Sequence, residues 1–204
     1  SLLTKTVRDA ENRITTQSYD AEDKLIAVSS PTGGTTSYAY TPFGEISTLG
    51  DANGNVTMLH YDERGLQTSV ESADTGRRSS VWNAFGELVS QTDALSPANT
   101  INFSYDQLGR LIQRSDSGQS PTIWTFHTAS GPLLGLPQRV TAPLGSAPAG
   151  FVEQYGYDAL GRRTSLSTTI DGTTYVTGYG WDSLGRVATM SYPQTVDGAQ
   201  VSLA

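Results

Sequence analysis

The chain has 204 residues, a formal charge of −7 and 36% hydrophobic residues, enough for a folded protein but low for a globular domain. Of its 13 basic residues only Lys5 and Lys24 are lysines, and the dense basic pairs are Arg77-Arg78 and Arg162-Arg163, too few to track a phosphate backbone, so nucleic acid is not an expected partner. There is no cysteine, which removes disulfides, thiolate nucleophiles and Cys-ligated metals, and no apolar run reaches the ~18 residues of a membrane span.

Taken in chain order, one short block recurs. An aromatic residue, usually followed by Asp or Asn, begins a block that usually has Gly four residues on. The blocks are Tyr19–Leu25, Tyr40–Ile46, Tyr61–Leu66, Trp82–Leu88, Tyr105–Leu111, Tyr157–Arg162 and Trp181–Val187. The anchors Tyr19, Tyr40, Tyr61, Trp82 and Tyr105 stand 21 to 23 residues apart, and one more step of 21 lands on Phe126, a degenerate copy. The next step, to Tyr157, is longer, and its excess falls in a stretch holding Pro132, Pro137, Pro143 and Pro148. We read it as an irregular Gly/Pro-rich loop at about 127–150 within a single repeat region, 1–204. A further anchor is due where the chain stops, so a piece of a larger protein is expected; no signal peptide opens it.

Each block reads as a β-hairpin. Residues at anchor and anchor−2 share a strand face, so pairs such as Tyr38/Tyr40, Leu59/Tyr61, Phe103/Tyr105 and Tyr155/Tyr157 form one aromatic stripe. The Asp opens a turn and its carboxylate accepts backbone N–H groups. Gly44, Gly65, Gly86, Gly109, Gly161 and Gly185 close it where φ must be positive, as in a type I turn with a G1 bulge. Softer turn signals lie midway, at Asp51–Asn55, Asp74–Gly76, Asp116–Gly118 and Asp171-Gly172. Two strands of about five residues per repeat follow, marginal alone and stable only when stacked.

Candidate reactive groups are weak. The block Asp residues (Asp20, Asp62, Asp106, Asp158, Asp182) and the Arg residues after the glycine (Arg110, Arg162, Arg186) recur, as a turn device does and a catalytic pair does not. His60 and His127 are the only histidines and belong to no ligand cluster, so no catalytic, cofactor or metal residue is assigned. Asp51-Ala52-Asn53-Gly54-Asn55 has its Gly misplaced for a calcium loop and reads as a turn. Phe43 and Phe85 hold a fixed repeat position, which assigns them to packing, whereas Phe151, Tyr175 and Tyr192 fall outside the repeat positions and are the best candidates for a sugar platform.

The block Tyr-Asp-x-x-Gly-Arg-Leu at this spacing, cleanest at Tyr105–Leu111, Tyr157–Arg162 and Trp181–Val187, resembles the YD repeat of the Rhs family. The resemblance implies an all-β fold: consecutive YD-repeat hairpins in a spiralling antiparallel sheet, part of a hollow shell. It implies a non-enzymatic, secreted or delivered protein whose partners are a toxin polypeptide in cis, neighbouring repeats of the parent shell and secretion-machine components. The alternative from another class is a cell-surface adhesion or carbohydrate-binding module. The family's self-cleaving core segment has no match here; Gly131-Pro132-Leu133-Leu134-Gly135 departs from it, so self-cleavage is carried to no residue.

Overall fold

The computed structural model describes residues 3–95, 97–144, 147–193 and 202–203. Every regular element in those residues is a β-strand. The chain divides into two compact units, Ser1–Thr100 and Ile101–Ala204.

The first unit holds β1 (Leu3–Arg8), β2 (Ile14–Tyr19), β3 (Leu25–Ser29), β4 (Thr35–Tyr40), β5 (Ile46–Gly50), β6 (Val56–Tyr61), β7 (Gln67–Ser72), β8 (Gly76–Trp82) and β9 (Leu88–Thr92). From β1 to β9 each strand pairs antiparallel with its sequence neighbour within the unit. The second unit repeats the plan with β10 (Thr100–Tyr105), β11 (Leu111–Asp116), β12 (Thr122–Phe126), β13 (Pro137–Leu144), β14 (Ala147–Tyr157), β15 (Arg163–Ile170), β16 (Thr173–Trp181), β17 (Val187–Ser191) and β18 (Ser202–Leu203).

Two sequence signals set the strand ends. Every anchor is the last residue of its strand, and the Asp, Asn or Thr after it opens the turn. At Asp62 the N–H of Gly65 donates to the Asp62 carbonyl at 3.0 Å and the Asp62 N–H to the Leu66 carbonyl at 2.9 Å. With Gly65 at φ 76° this is a type I turn closed by a G1 bulge. The same pair of bonds closes the turns at Thr41, Asn83, Asp106, Asp158 and Asp182. In the first block, which lacks the glycine, Asp23 takes the left-handed conformation at φ 62°, a role its short polar side chain tolerates.

The stretch expected as an irregular loop at about 127–150 is corrected: only 127–136 lies outside a strand before β13 begins at Pro137, and β14 runs from Ala147. The prolines were misleading because two of them occupy strand positions where no ladder N–H is needed. Pro137 starts β13, and Pro143 sits where the β13–β14 register shifts between Ala142 and Leu144. The excess length goes into a longer turn and longer strands, 8, 11, 8 and 9 residues in β13 to β16 against five to seven in β2 to β12.

Neither unit builds an apolar interior. Among the described residues no hydrophobic side chain is buried. Strands β4 and β6 alternate exposed and half-buried positions, the half-buried set being Thr36, Tyr38, Tyr40 and Thr57, Leu59, Tyr61. Cross-strand partners share a face, so Tyr38, Leu49 and Thr57 lie on one side while Ala39, Thr48 and Met58 lie on the other. The aromatic side shields itself laterally, ring against neighbouring hairpin. The opposite side carries mostly short Ser, Thr, Ala and Gly side chains, as in the rows Ser18, Ala27, Ser37, Gly50 and Gly156, Ser165, Gly178.

Candidate functional site

The functional feature is the junction between successive hairpins, which recurs along both units. It begins at a second irregularity that the turn alone does not require. One residue inside each turn the register slips again, between Ser18 and Tyr19, Ala39 and Tyr40, His60 and Tyr61, Val81 and Trp82, Ser104 and Tyr105, Gly156 and Tyr157, and Gly180 and Trp181. An extra residue on the returning strand, such as Ser47 or Thr68, is left unpaired and adds twist. The ladder to the following strand then stops short. Between β5 and β6 its last rung toward this edge is Thr48 with Met58, so the Ile46 carbonyl has no strand partner.

The next anchor supplies that partner. The Tyr61 hydroxyl donates to the Ile46 carbonyl at 2.9 Å, Tyr40 to Leu25 at 2.7 Å and Trp82 Nε1 to Gln67 at 2.9 Å. In the second unit Tyr157 donates to the Pro137 carbonyl at 2.9 Å and Trp181 Nε1 to Arg163 at 2.8 Å. These five anchors thus lay their rings on the aromatic face and place their polar tips on a backbone acceptor of the preceding hairpin, whereas the Tyr19 hydroxyl donates to Gln17 on its own strand at 3.0 Å.

The turn carboxylate is occupied as well. Asp106 Oδ1 accepts from the N–H groups of Leu108 and Arg110, and Oδ2 takes Arg110 Nε at 2.7 Å. Asp158 with Arg162 and Asp182 with Arg186 repeat this arrangement. The Arg110 guanidinium hydrogen bond, with the backbone donors behind it, holds the Asp106 carboxyl below its ordinary range; at Asp158 and Asp182 the backbone N–H of the clasp Arg is the larger cause. Arg110 also lies 4.1 Å from the Phe126 ring and donates to the Gly135 carbonyl at 3.0 Å, and Arg162 lies 5.5 Å from the Trp181 ring. The residue after the turn glycine therefore closes its own turn and covers the next anchor. Phe126, the degenerate anchor with no polar tip, receives the closest of these guanidinium contacts.

Where the opening residue is not Asp, the partner changes with it. Asn83 Nδ2 donates to Glu87 at 2.6 Å, and the Thr41 hydroxyl donates to Glu45. Acid meets base in one repeat and neutral donor meets acid in another, so the chain itself records which pairs are compatible. Arg186→Glu, which sets two carboxylates face to face in the Asp182 turn, is expected to lower the thermal midpoint. Asp182→Asn combined with Arg186→Glu, which copies the Asn83–Glu87 pair, is expected to restore it. Melting the two variants beside the wild type checks the coupling, and a double variant no better than Arg186→Glu would refute it. The shifts should be small, since Arg186 is 72% exposed.

The remaining candidates sort by face. His60 pairs with Ser69 across the strand on the side away from Tyr61, and the His127 ring stands edge-on to Tyr157 at 5.8 Å. The Asp51 turn is the same bulged turn, its carboxylate taken by the N–H groups of Asn53 and Asn55 and by Asn55 Nδ2. Among the described residues no three His, Asp or Glu side chains gather as a metal set would. Phe151 and Tyr175 lie on the aromatic face; Tyr175 is 44% exposed. Tyr155 hydrogen-bonds Glu153 at 2.6 Å, and burial with that carboxylate pushes its hydroxyl up to about 12.

One assignment is overturned. Phe43 and Phe85, expected to pack, are each 88% exposed. They stand immediately before the turn glycine, at the outermost residue of the turn and beyond the edge of the sheet. Leu108, Leu160 and Leu184 hold the equivalent place and are also exposed.

A known family model recognises the repeat in two stretches of the chain. The RHS Repeat family model matches residues 19–56 and 157–196, the blocks opened by Tyr19, Tyr40, Tyr157 and Trp181. No curated protein matches the chain in sequence. Among solved structures, a chain of the Photorhabdus luminescens Tc holotoxin pore is similar with a TM-score of 0.49 and 13% identity, over 100% of this chain and 14% of its own length. A chain of the TcdB2–TccC3–Cdc42 complex is similar at 0.37 and 12%, over 96% of this chain and 14% of its own. A porin-like protein from Bacteroides uniformis is similar at 0.35 and 14%, over 99% of this chain and 93% of its own. The chain spans 14% of the length of the first two.

Proposed function

We propose that this chain, which carries RHS repeats, is a wall segment of a larger repeat shell that encloses a toxin polypeptide carried in cis and holds it until delivery outside the producing cell. The observation that carries this reading is the way stability is distributed. Among the described residues no apolar side chain is buried, and Tyr40, Tyr61, Trp82, Tyr157 and Trp181 each tie their hairpin to the one before it through a backbone carbonyl. A sheet built this way grows by adding identical hairpins, each completing the last, and keeps two accessible faces. That is the economy of a wall. A catalytic pocket needs a few non-repeating groups held in one enclosed place, whereas the Asp and Arg side chains here are spent on their own turns.

The partners on this reading are the neighbouring repeats of the parent, the enclosed polypeptide and the components that export the assembly. The test is protease protection of the parent protein. A polypeptide encoded in cis should resist digestion in the wild type and become cleavable when Tyr157 and Trp181 are both replaced by Ala. Equal digestion in the two proteins would refute enclosure. Saturable binding of a defined glycan by the isolated chain would replace this reading with the adhesion module.

A further inference from the structure

The second unit carries an apolar row that its own fold does not use. In four successive hairpins the residue before the positive-φ turn glycine is leucine: Leu108, Leu134, Leu160 and Leu184, with exposures of 76%, 60%, 72% and 74%. In an antiparallel meander alternate turns lie on the same edge, so the four stand along one edge about 10 Å apart, two strand spacings each. The long turn at 127–136 is the informative case. It is ten residues where the others have five, yet it keeps both closing bonds, Gly135 N–H to the His127 carbonyl at 2.8 Å and His127 N–H to the Leu136 carbonyl at 2.9 Å. It also keeps a leucine before its glycine.

Turn geometry does not demand that residue. The Asp51 turn makes the same backbone and carboxylate bonds with Asn53 in the equivalent place, and the Asp9 turn does so with Glu11. On the opposite edge of the second unit the residues before Gly118 and Gly172 are Ser117 and Asp171. The leucine on this edge, present through a change of turn length, is thus not explained by the bonds of the turn itself.

We infer that this edge binds the same edge of a second copy of the chain, the two leucine rows interleaving about a two-fold axis. Two properties select that occupant. The row is evenly spaced, so a reversed copy meets it in register, Leu108 near the partner copy's last tip and Leu134 near its third. The charges beside the tips are already closed, Asp106 on Arg110, Asp158 on Arg162 and Asp182 on Arg186, so like edges do not repel. The four leucines expose roughly 500 Å² of apolar surface, and two copies would bury roughly 1,000 Å², where specific interfaces begin. The inference goes beyond the wall reading and does not depend on a cargo.

Sedimentation velocity on the 204-residue chain over a wide concentration range tests it. A dimer that dissociates on dilution is expected. Replacing all four leucines by Asn should weaken it by roughly tenfold per residue. Ile123→Thr with Val176→Thr, which removes exposed apolar groups from the hydroxyl face, should leave it unchanged. A strict monomer, or association undiminished in the four-Asn variant, overturns the assignment, the latter pointing to strand edges instead. A second measurement stands even if that variant misfolds. The chain has no cysteine, so Leu134→Cys mixed with Leu160→Cys reports on the pairing directly. An oxidised heterodimer absent from a Ser117→Cys control is expected, and equal cross-linking in the control overturns the inference. A monomer that still melts normally leaves the wall reading intact and removes only the edge contact.

Discussion

Trp82→Tyr leaves the stability of the chain close to that of the wild type, Trp82→Phe costs about 1 kcal/mol, and Trp82→Ala costs ~2–3 kcal/mol. The order follows from what the anchor does. Its indole N–H donates to the Gln67 carbonyl at 2.9 Å while the ring lies half-buried beside the neighbouring hairpin. Tyrosine performs the same act from the same position at Tyr40 and Tyr61, so the chain already contains the replacement. Phenylalanine keeps the ring and abandons the acceptor, which sheds one hydrogen bond. Alanine abandons both, and its cost stays below that of a fully buried aromatic because the site is only half-buried. Denaturant midpoints of the three variants check the series. Phenylalanine as stable as tyrosine would show that the carbonyl bond carries no weight, and that the ring alone holds the hairpins together.

Gly161→Ala costs more than Gly185→Ala, about 2–4 kcal/mol against ~1–2 kcal/mol. Both glycines sit at φ 77° in the same turn type, so both substitutions strain the backbone alike. Their surroundings differ. A Cβ on Gly185 meets open space, whereas one on Gly161 falls 2.8 Å from the Pro132 carbonyl oxygen and 3.4 Å from Leu136 Cδ1. The obstruction is backbone of the 127–136 turn, which cannot swing aside as a side chain would. Gly161 therefore reports two things at once, a left-handed turn and a neighbouring loop packed on it. Equal losses at the two glycines would mean that the long turn does not rest against the Asp158 turn in solution.

How much was legible depended on the range of each interaction. The turn at Asp106 is specified within five residues: the carboxylate reaches N–H groups two and four positions on, the glycine supplies the positive φ, and Arg110 returns to the carboxylate. All of this can be read from the block because every partner lies inside it. The alternation that places Tyr38 with Tyr40 and Leu59 with Tyr61 is legible for the same reason, being a property of one strand. The Gly/Pro-rich stretch misled because composition does not distinguish a proline in a loop from one at a strand start or a bulge, which is where Pro137 and Pro143 lie.

The chain's order of residues by itself determined its all-β class, its hairpin period and the chemistry of each bend, because these are settled by neighbours a few bonds away. Only the tertiary structure decided that Tyr61 reaches the Ile46 carbonyl 15 residues earlier, that Arg110 covers Phe126, and that Phe43 and Leu160 stand largely exposed. The first of these follows from where a second slip in register ends the ladder. A slip is a compromise between two strands and their twist, and neither strand alone encodes it.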